Sequence, residues 1–263
     1  MSAGVQRRRA THATWLPVLG SLLAMLLAAA PARAATPAAG APDPAAGSGA
    51  VPAKPDWFAM TSREFRAAGA PGRPLDFQAL DADLLSAALL HETNARRAKR
   101  GLPALRYDPK ARDAAALLAR AMAAEQFVGH LHPTDPALRA MDDRVRVAGL
   151  TPSFVAENAG FSFGWRYEAG KSFFTSQTNG TRVFRYEEKG PPIPRHTYLS
   201  LAESFLDAWM KSSGHRANIL DPRSRSLGCA VFLGLKDDDM EAFYGVQIFY
   251  TPLDDADRPA AGR

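Results

Sequence analysis

Ala208-Trp209-Met210-Lys211-Ser212-Ser213-Gly214-His215-Arg216-Ala217-Asn218-Ile219-Leu220 is the stretch on which the reading of this chain turns. Leading into it, Leu201, Phe205, Leu206 and Trp209 recur at helical spacing and predict a helix over about Tyr198 to Lys211, with these four on its buried side. His215 follows immediately. A titratable, metal-ligating side chain is thereby held at the end of a packed element, as a preorganised site requires. The neighbouring Ser212 and Ser213 do not turn this into a hydrolase site: there is no nucleophile elbow, and adjacent Ser and His at one helix end cannot by themselves align a triad.

Toward the N-terminus two more helices are legible. Leu84, Leu85, Ala88 and Leu89 share a helical face, and Lys99-Arg100-Gly101 puts basic residues in the last turn and glycine beyond it. Asp108-Pro109 offers an N-cap with proline at the first helical position, followed by Ala114, Leu117, Leu118, Ala121 and Met122. On the C-terminal side, Leu227–Leu233 and Phe243–Tyr250 are β-rich runs around Asp237-Asp238-Asp239 and predict an antiparallel hairpin; Phe154–Phe163 supplies another strand. Helices first, one more between strands, and strands at the close point to an α+β fold, an antiparallel sheet covered by helices.

The ends of the chain are of different character. Arg7-Arg8-Arg9, an apolar run from Trp15 to Ala30 and Ala32-Arg33-Ala34 form a secretory signal pattern, residues 1–34, with cleavage near Ala34; an uncleaved anchor is the lesser alternative. Export to the periplasm or the medium is the expectation. Residues 1–34 hold four arginines and no acid, so 32 basic against 27 acidic residues become 28 against 27. The basic balance therefore belongs to the leader, and nucleic acid is excluded as the expected partner. Residues 35–78 are read as a low-complexity linker and a short arm carrying Trp57, Phe58 and Phe65, residues 79–252 as one domain, and 253–263 as a disordered tail; a monomer is expected. The single cysteine, Cys229, lies in an apolar strand and reads as a small buried hydrophobe.

Histidines and carboxylates carry what chemistry there is. His130 sits in Phe127-Val128-Gly129-His130-Leu131-His132-Pro133, just past the second helix. Glu157 is a carboxylate in an otherwise apolar strand and needs a partner if buried. Two imidazoles and a carboxylate suit zinc in composition, although no zinc-type spacing is present, and a polar cluster that orders loops is the competing reading. His132 is a further candidate beside His130. His91 reads as a solvated or packed helix residue and His196, after Pro191-Pro192-Ile193-Pro194-Arg195, as an exposed loop residue.

In order along the chain, Asn94-Ala95-Arg96-Arg97 with Gly101-Leu102-Pro103-Ala104-Leu105, His130 with Pro133, Asp143-Arg144 before Gly149, Ala156-Glu157-Asn158, the stretch Ala208–Leu220, Leu227-Gly228 and Val246-Gln247-Ile248-Phe249 resemble the CAP superfamily (SCP/PR-1-like, the cysteine-rich secretory protein family), in particular its bacterial branch. The resemblance implies a three-layer α-β-α sandwich and a cleft with a tetrad of two histidines and two glutamates, of which His130, Glu157 and His215 occupy three positions. It implies a divalent metal such as zinc, or a lipid or envelope-derived molecule, as ligand, and no catalytic activity common to the family. Ser212 stands where the second glutamate is usual; Glu203 and Asp207, earlier on the same helix, are the candidate substitutes. Residues 164–194 exceed the usual connection, and Lys171–Thr178 with Thr181–Tyr186 around Asn179-Gly180 predict a hairpin whose Phe173, Phe174, Phe184 and Tyr186 would lie at an edge of the cleft. Three functions follow as expectations: a metal- or ligand-binding module, a zinc-assisted hydrolase with Glu157 as ligand or general base, and a protein-interaction module acting through the insertion.

Overall fold

Residues 6–8, 55–178, 181–236 and 240–253 are described by a computed structural model. In chain order they form β1 (Gln6–Arg8), α1 (Ser62–Ala67), α2 (Ala82–Ala98), β2 (Arg106–Tyr107), α3 (Pro109–Glu125), α4 (Met141–Val147), β3 (Pro152–Phe163), β4 (Phe173–Thr178), β5 (Thr181–Arg185), α5 (Tyr198–Lys211), α6 (Ser213–Ile219), β6 (Ser226–Lys236) and β7 (Met240–Pro252). The cleavage site, most of the linker, the turn residues 179–180, the acidic turn 237–239 and the tail from 254 onward lie outside the described residues.

The local rules that start and stop these helices are those of the sequence. Asp81 accepts the Leu84 amide at the start of α2, and Asp108 accepts the Ala111 amide at the start of α3, with Pro109 in the first turn. α3 stops at Gln126, which takes a left-handed φ of 54°. Among the described residues no helix is long and apolar enough to cross a membrane.

The main sheet has the order β2-β6-β7-β3. β6, β7 and β3 are antiparallel neighbours, but β2 pairs in parallel with β6, so the sheet is mixed rather than wholly antiparallel. The reason is local: only two residues of the connection between α2 and α3 join the ladder, and they run alongside the first residues of β6. Alternation along β7 separates two cores. Ala242, Tyr244, Val246, Ile248 and Tyr250 face α3, whereas Phe243 and Phe249 face α2 and α5. The result is the expected α-β-α sandwich, with α3 and α4 on one face and α2 and α5 on the other. Gly228 marks the tightest approach of helix to sheet: a Cβ there would sit 1.9 Å from the Arg112 nitrogen.

The N-terminal arm packs on the α2 face. Trp57 and Phe65 are buried with Leu84 and Leu89, and Arg66 of α1 meets the fully buried Glu92 of α2. Arg97, also fully buried, donates to the Pro103, Ile219 and Asp221 carbonyls at 3.0, 2.9 and 2.9 Å and so ties α2 to the end of α6. A second small sheet, β1-β4-β5, contains the expected hairpin; β1 falls within the segment read as leader. Phe173 and Phe184 of the hairpin are buried in the α3-side core, where Phe184 meets Trp165 at 5.2 Å between centroids. They do not line the edge of the cleft, because their rings find an apolar aromatic cluster to bury in.

Candidate functional site

β3 is an edge strand, and that fact makes the site. Its odd-numbered side chains face the α3 layer and its even-numbered ones the α5 layer, so groups from both layers meet around its open edge. Glu157 points to the α4 side. Its Oε2 accepts from Arg144 Nη2 at 2.7 Å, and the two side chains are 3% and 0% exposed. The same guanidinium gathers the loop ahead of α4, donating to the carbonyls of Leu138, Arg139 and His130 at 2.9, 3.0 and 3.1 Å. This answers the need of Glu157 for a partner with a fixed cation.

The other carboxylate oxygen, Oε1, lies 2.9 Å from His130 Nδ1. An ionised carboxylate can only accept, so Nδ1 carries the proton and Nε2 is the open nitrogen. The His130 side chain is 54% exposed. Its hydrogen bond to Glu157 raises its pKa above the usual imidazole value.

His215 arrives from the opposite layer on α6. A chain of side-chain amides fixes it: Asn158 Nδ2 donates to the His215 carbonyl at 3.2 Å, and Asn218 Nδ2 donates to the Glu157 carbonyl at 3.0 Å and to Asn158 Oδ1 at 2.9 Å. Asn158 continues to Gln247 and from there to Thr93 on α2. Trp209 Nε1 caps the next outward carbonyl of β3, Ala159, at 3.2 Å. The exposed edge of the sheet is thus closed by side chains from the quoted stretch. The ring centroids of His130 and His215 stand 6.1 Å apart. Burial, then the charge of His130, lowers the His215 pKa.

Residues 90–249 match the profile of CAP, the cysteine-rich secretory protein family. The chain belongs to the CAP family. No curated protein sequence is significantly similar to it. Solved structures resemble it at low identity: an extracellular SCP-domain protein of Bacillus anthracis (19% identity, 65% of this chain and 41% of that one, TM-score 0.42), an outer surface protein of Borrelia burgdorferi (13%, 69% and 98%, TM-score 0.42) and a cysteine-rich secretory protein of Staphylococcus aureus (14%, 65% and 40%, TM-score 0.39). The chain thus spans less than half the length of the first of these.

Within this CAP domain the three tetrad candidates His130, Glu157 and His215 come together, while the suggested extra residues do not join them. Glu203 is turned toward α1, 3.2 Å from Arg66, and Asp207 toward α2, 2.7 Å from Arg96. Both lie on the helix face away from β3, where Ser204 makes the contact with Ser162 instead. His132 orders its own loop: its Nδ1 accepts the Asp135 amide at 3.1 Å and its amide donates to the Arg139 carbonyl at 2.8 Å. Ser212 joins α5 to α6, its amide on the Trp209 carbonyl. His196, expected exposed, is half-buried against Ser200, and burial lowers its pKa to about 4. His91 is a packed helix residue, stacked on Phe65. Cys229 is a buried strand residue whose thiol burial raises to about 12.

Arg144 is the functional residue that sequence reasoning missed in this role. The signal was present: a basic side chain beside Val145 on a short helix, close in sequence to an apolar strand with one unpaired carboxylate. As direct metal ligands the three candidates do not form a set, because both Glu157 oxygens are engaged. Among the described residues there is no group of three or more His, Cys, Asp or Glu that could hold a metal. The donors that remain are His130 Nε2 and the His215 ring, for which the described residues supply no partner. Glu157 instead orients His130 from behind, through its Nδ1.

Proposed function

We propose that this chain is an exported CAP-domain binding module whose cleft presents the His130 and His215 imidazoles to a ligand. The observation that carries this reading is the Arg144–Glu157–His130 relay. A buried cation fixes the carboxylate, the carboxylate fixes the tautomer and angle of His130, and Nε2 is left for the ligand. The leader pattern at residues 1–34 supports export, as does membership of a secretory family.

A divalent metal such as zinc suits this arrangement only through the two imidazoles. A metal held there would supply Lewis acidity and anchor a donor atom of the true ligand. The carboxylate keeps a proton on Nδ1 and aims Nε2 outward, and the second proton must leave Nε2 for a metal to bind, so binding strengthens as pH rises through the raised His130 pKa. Two ligands leave the site open, which favours a ligand-completed complex over a closed structural site.

The test is a calorimetric zinc titration at neutral pH of the protein and of a His130→Ala/His215→Ala variant. Saturable binding that disappears in the variant and weakens about 10–100-fold in Glu157→Gln is the expected result. Absence of binding in the folded protein would leave the relay as a structural cluster and remove the metal from this reading. Zinc-dependent hydrolysis of ester or peptide substrates, lost with the same variant, would instead make the chain an enzyme.

A further inference from the structure

A cavity of about 640 Å³ lies where the inserted hairpin meets the sheet. None of His130, Glu157 and His215 lines it. Glu241, on its wall, is seven residues before Ile248, the β7 residue opposite Glu157, a separation of roughly 23 Å along the strand at about 3.3 Å per residue. Its walls come from four parts of the chain: Asp76 and Gln78 ahead of α2, Gln177 and Arg182 of the inserted hairpin with Arg195 just beyond the insertion, Leu233 of β6, and Glu241 of β7. The insertion therefore contributes one wall of the cavity, through Gln177 and Arg182.

The polar groups are placed by packing. The Arg195 guanidinium carbon lies 4.5 Å from the Phe77 ring centroid and 5.2 Å from that of Trp165, and its Nη1 donates to the Leu75 carbonyl at 3.3 Å. Trp165 is itself fixed by its Nε1 on Glu241 Oε2 at 2.9 Å. A guanidinium stacked on aromatic rings keeps a rigid, outward donor edge. Arg182 reaches the other Glu241 oxygen only at 3.5 Å, longer than the ~2.7–2.9 Å of a fully formed charge-assisted bond. Its fork is under-used where it stands. Asp76 is exposed, with Oδ1 accepting the Gln78 amide at 3.1 Å, and Gln78 and Gln177 present exposed side-chain amides.

Two guanidinium groups against two carboxylates make a formally neutral lining. Such a wall does not attract a polyanion. Guanidinium groups, the exposed Asp76 carboxylate and side-chain amides in one lining match a ligand that carries its own carboxylate, amides and ammonium. The volume is within the range of sites that enclose small molecules. We propose that this cavity binds the free-carboxylate end of a short zwitterionic peptide, with the carboxylate on Arg182 and Arg195, peptide amides on Gln78 and Gln177, and the ammonium toward Asp76. It is independent of the imidazole cleft and gives the insertion a ligand of its own.

The experiment is a titration of the full protein with trialanine, followed by the Trp165 indole N–H resonance and by calorimetry. Saturable binding is expected, weakened about tenfold or more by amidating the peptide carboxylate or by Arg182→Ala, with the zinc titration and thermal midpoint of that variant unchanged. Arg195→Lys retains the charge without the fork and should also weaken binding, while Gln177→Ala gives a smaller loss. No saturable shift at tens of millimolar peptide overturns the proposal. So does equal affinity for the amidated peptide, or a neutral disaccharide that competes for the same resonance as well as trialanine does.

Discussion

Two buried carboxylates, Glu157 and Glu92, lie on opposite faces of the sheet and have opposite uses. Glu157 meets a guanidinium that is fully buried, which frees its second oxygen to hold a histidine that is half in solvent. Glu92 meets Arg66 and Arg96, whose side chains are 38% and 17% exposed, and both its oxygens are engaged. Burial outweighs those arginines and raises the Glu92 pKa, with Glu203 adding to the rise. One centre is a support for a site; the other fastens an arm to a helix. The difference lies in where the neutralising cation sits, since a buried partner leaves the outward side of the carboxylate for chemistry.

Removing the partner should separate the two most sharply. Arg144→Met strands Glu157 in the interior and should cost about 3–5 kcal/mol in urea unfolding; a loss below about 1 kcal/mol would break the comparison. Glu92→Gln should lie within about 1 kcal/mol of the parent, because a neutral amide keeps a hydrogen bond from Arg66 and the fold already disfavours the charged form. A larger loss would show that Glu92 works as an ion pair.

The neighbouring histidines should respond to pH with opposite signs. His130 has a raised pKa, from its bond to Glu157, so its contribution is complete below the unfolded value of about 6.5 and is lost as pH rises through the folded one. His91 has a lowered pKa, from burial, so its contribution is complete above about 6.5 and is lost as pH falls. Thermal midpoints should show His130→Gln as more harmful near about pH 6 than near about pH 8, and His91→Gln the reverse. The smallest effect belongs to Asp207→Asn, which breaks a contact to Arg96 from a side chain that is 62% exposed and should change stability by no more than about 0.5 kcal/mol.

Much of this was legible in order along the chain. The helix of Leu201, Phe205, Leu206 and Trp209, the caps at Asp108 and Pro109, and the strands around Val231 and Val246 are local patterns of burial and capping, and local physics suffices to read them. His130 and His215 could be placed at helix ends for the same reason. Glu203 misled because helical spacing gives a residue's neighbours on its own helix but not which side of that helix meets the strand. The hairpin is readable from its runs on either side of Asn179-Gly180, but the burial of Phe173 and Phe184 away from the cleft is not. Nothing in the sequence orders Trp165 and Phe184 in space.

The sequence by itself determined the elements, the sandwich they form and the three residues that meet at the cleft, because periodicity, capping and the ordered family motifs are written in the chain. Only the tertiary structure decided that β3 is an edge strand, that Arg144 occupies one oxygen of Glu157 and His130 the other, and that two histidines from opposite layers face each other across that edge. Those are contacts between residues far apart in sequence, set by which layers pack together and how a buried charge finds its partner. No local pattern encodes that choice.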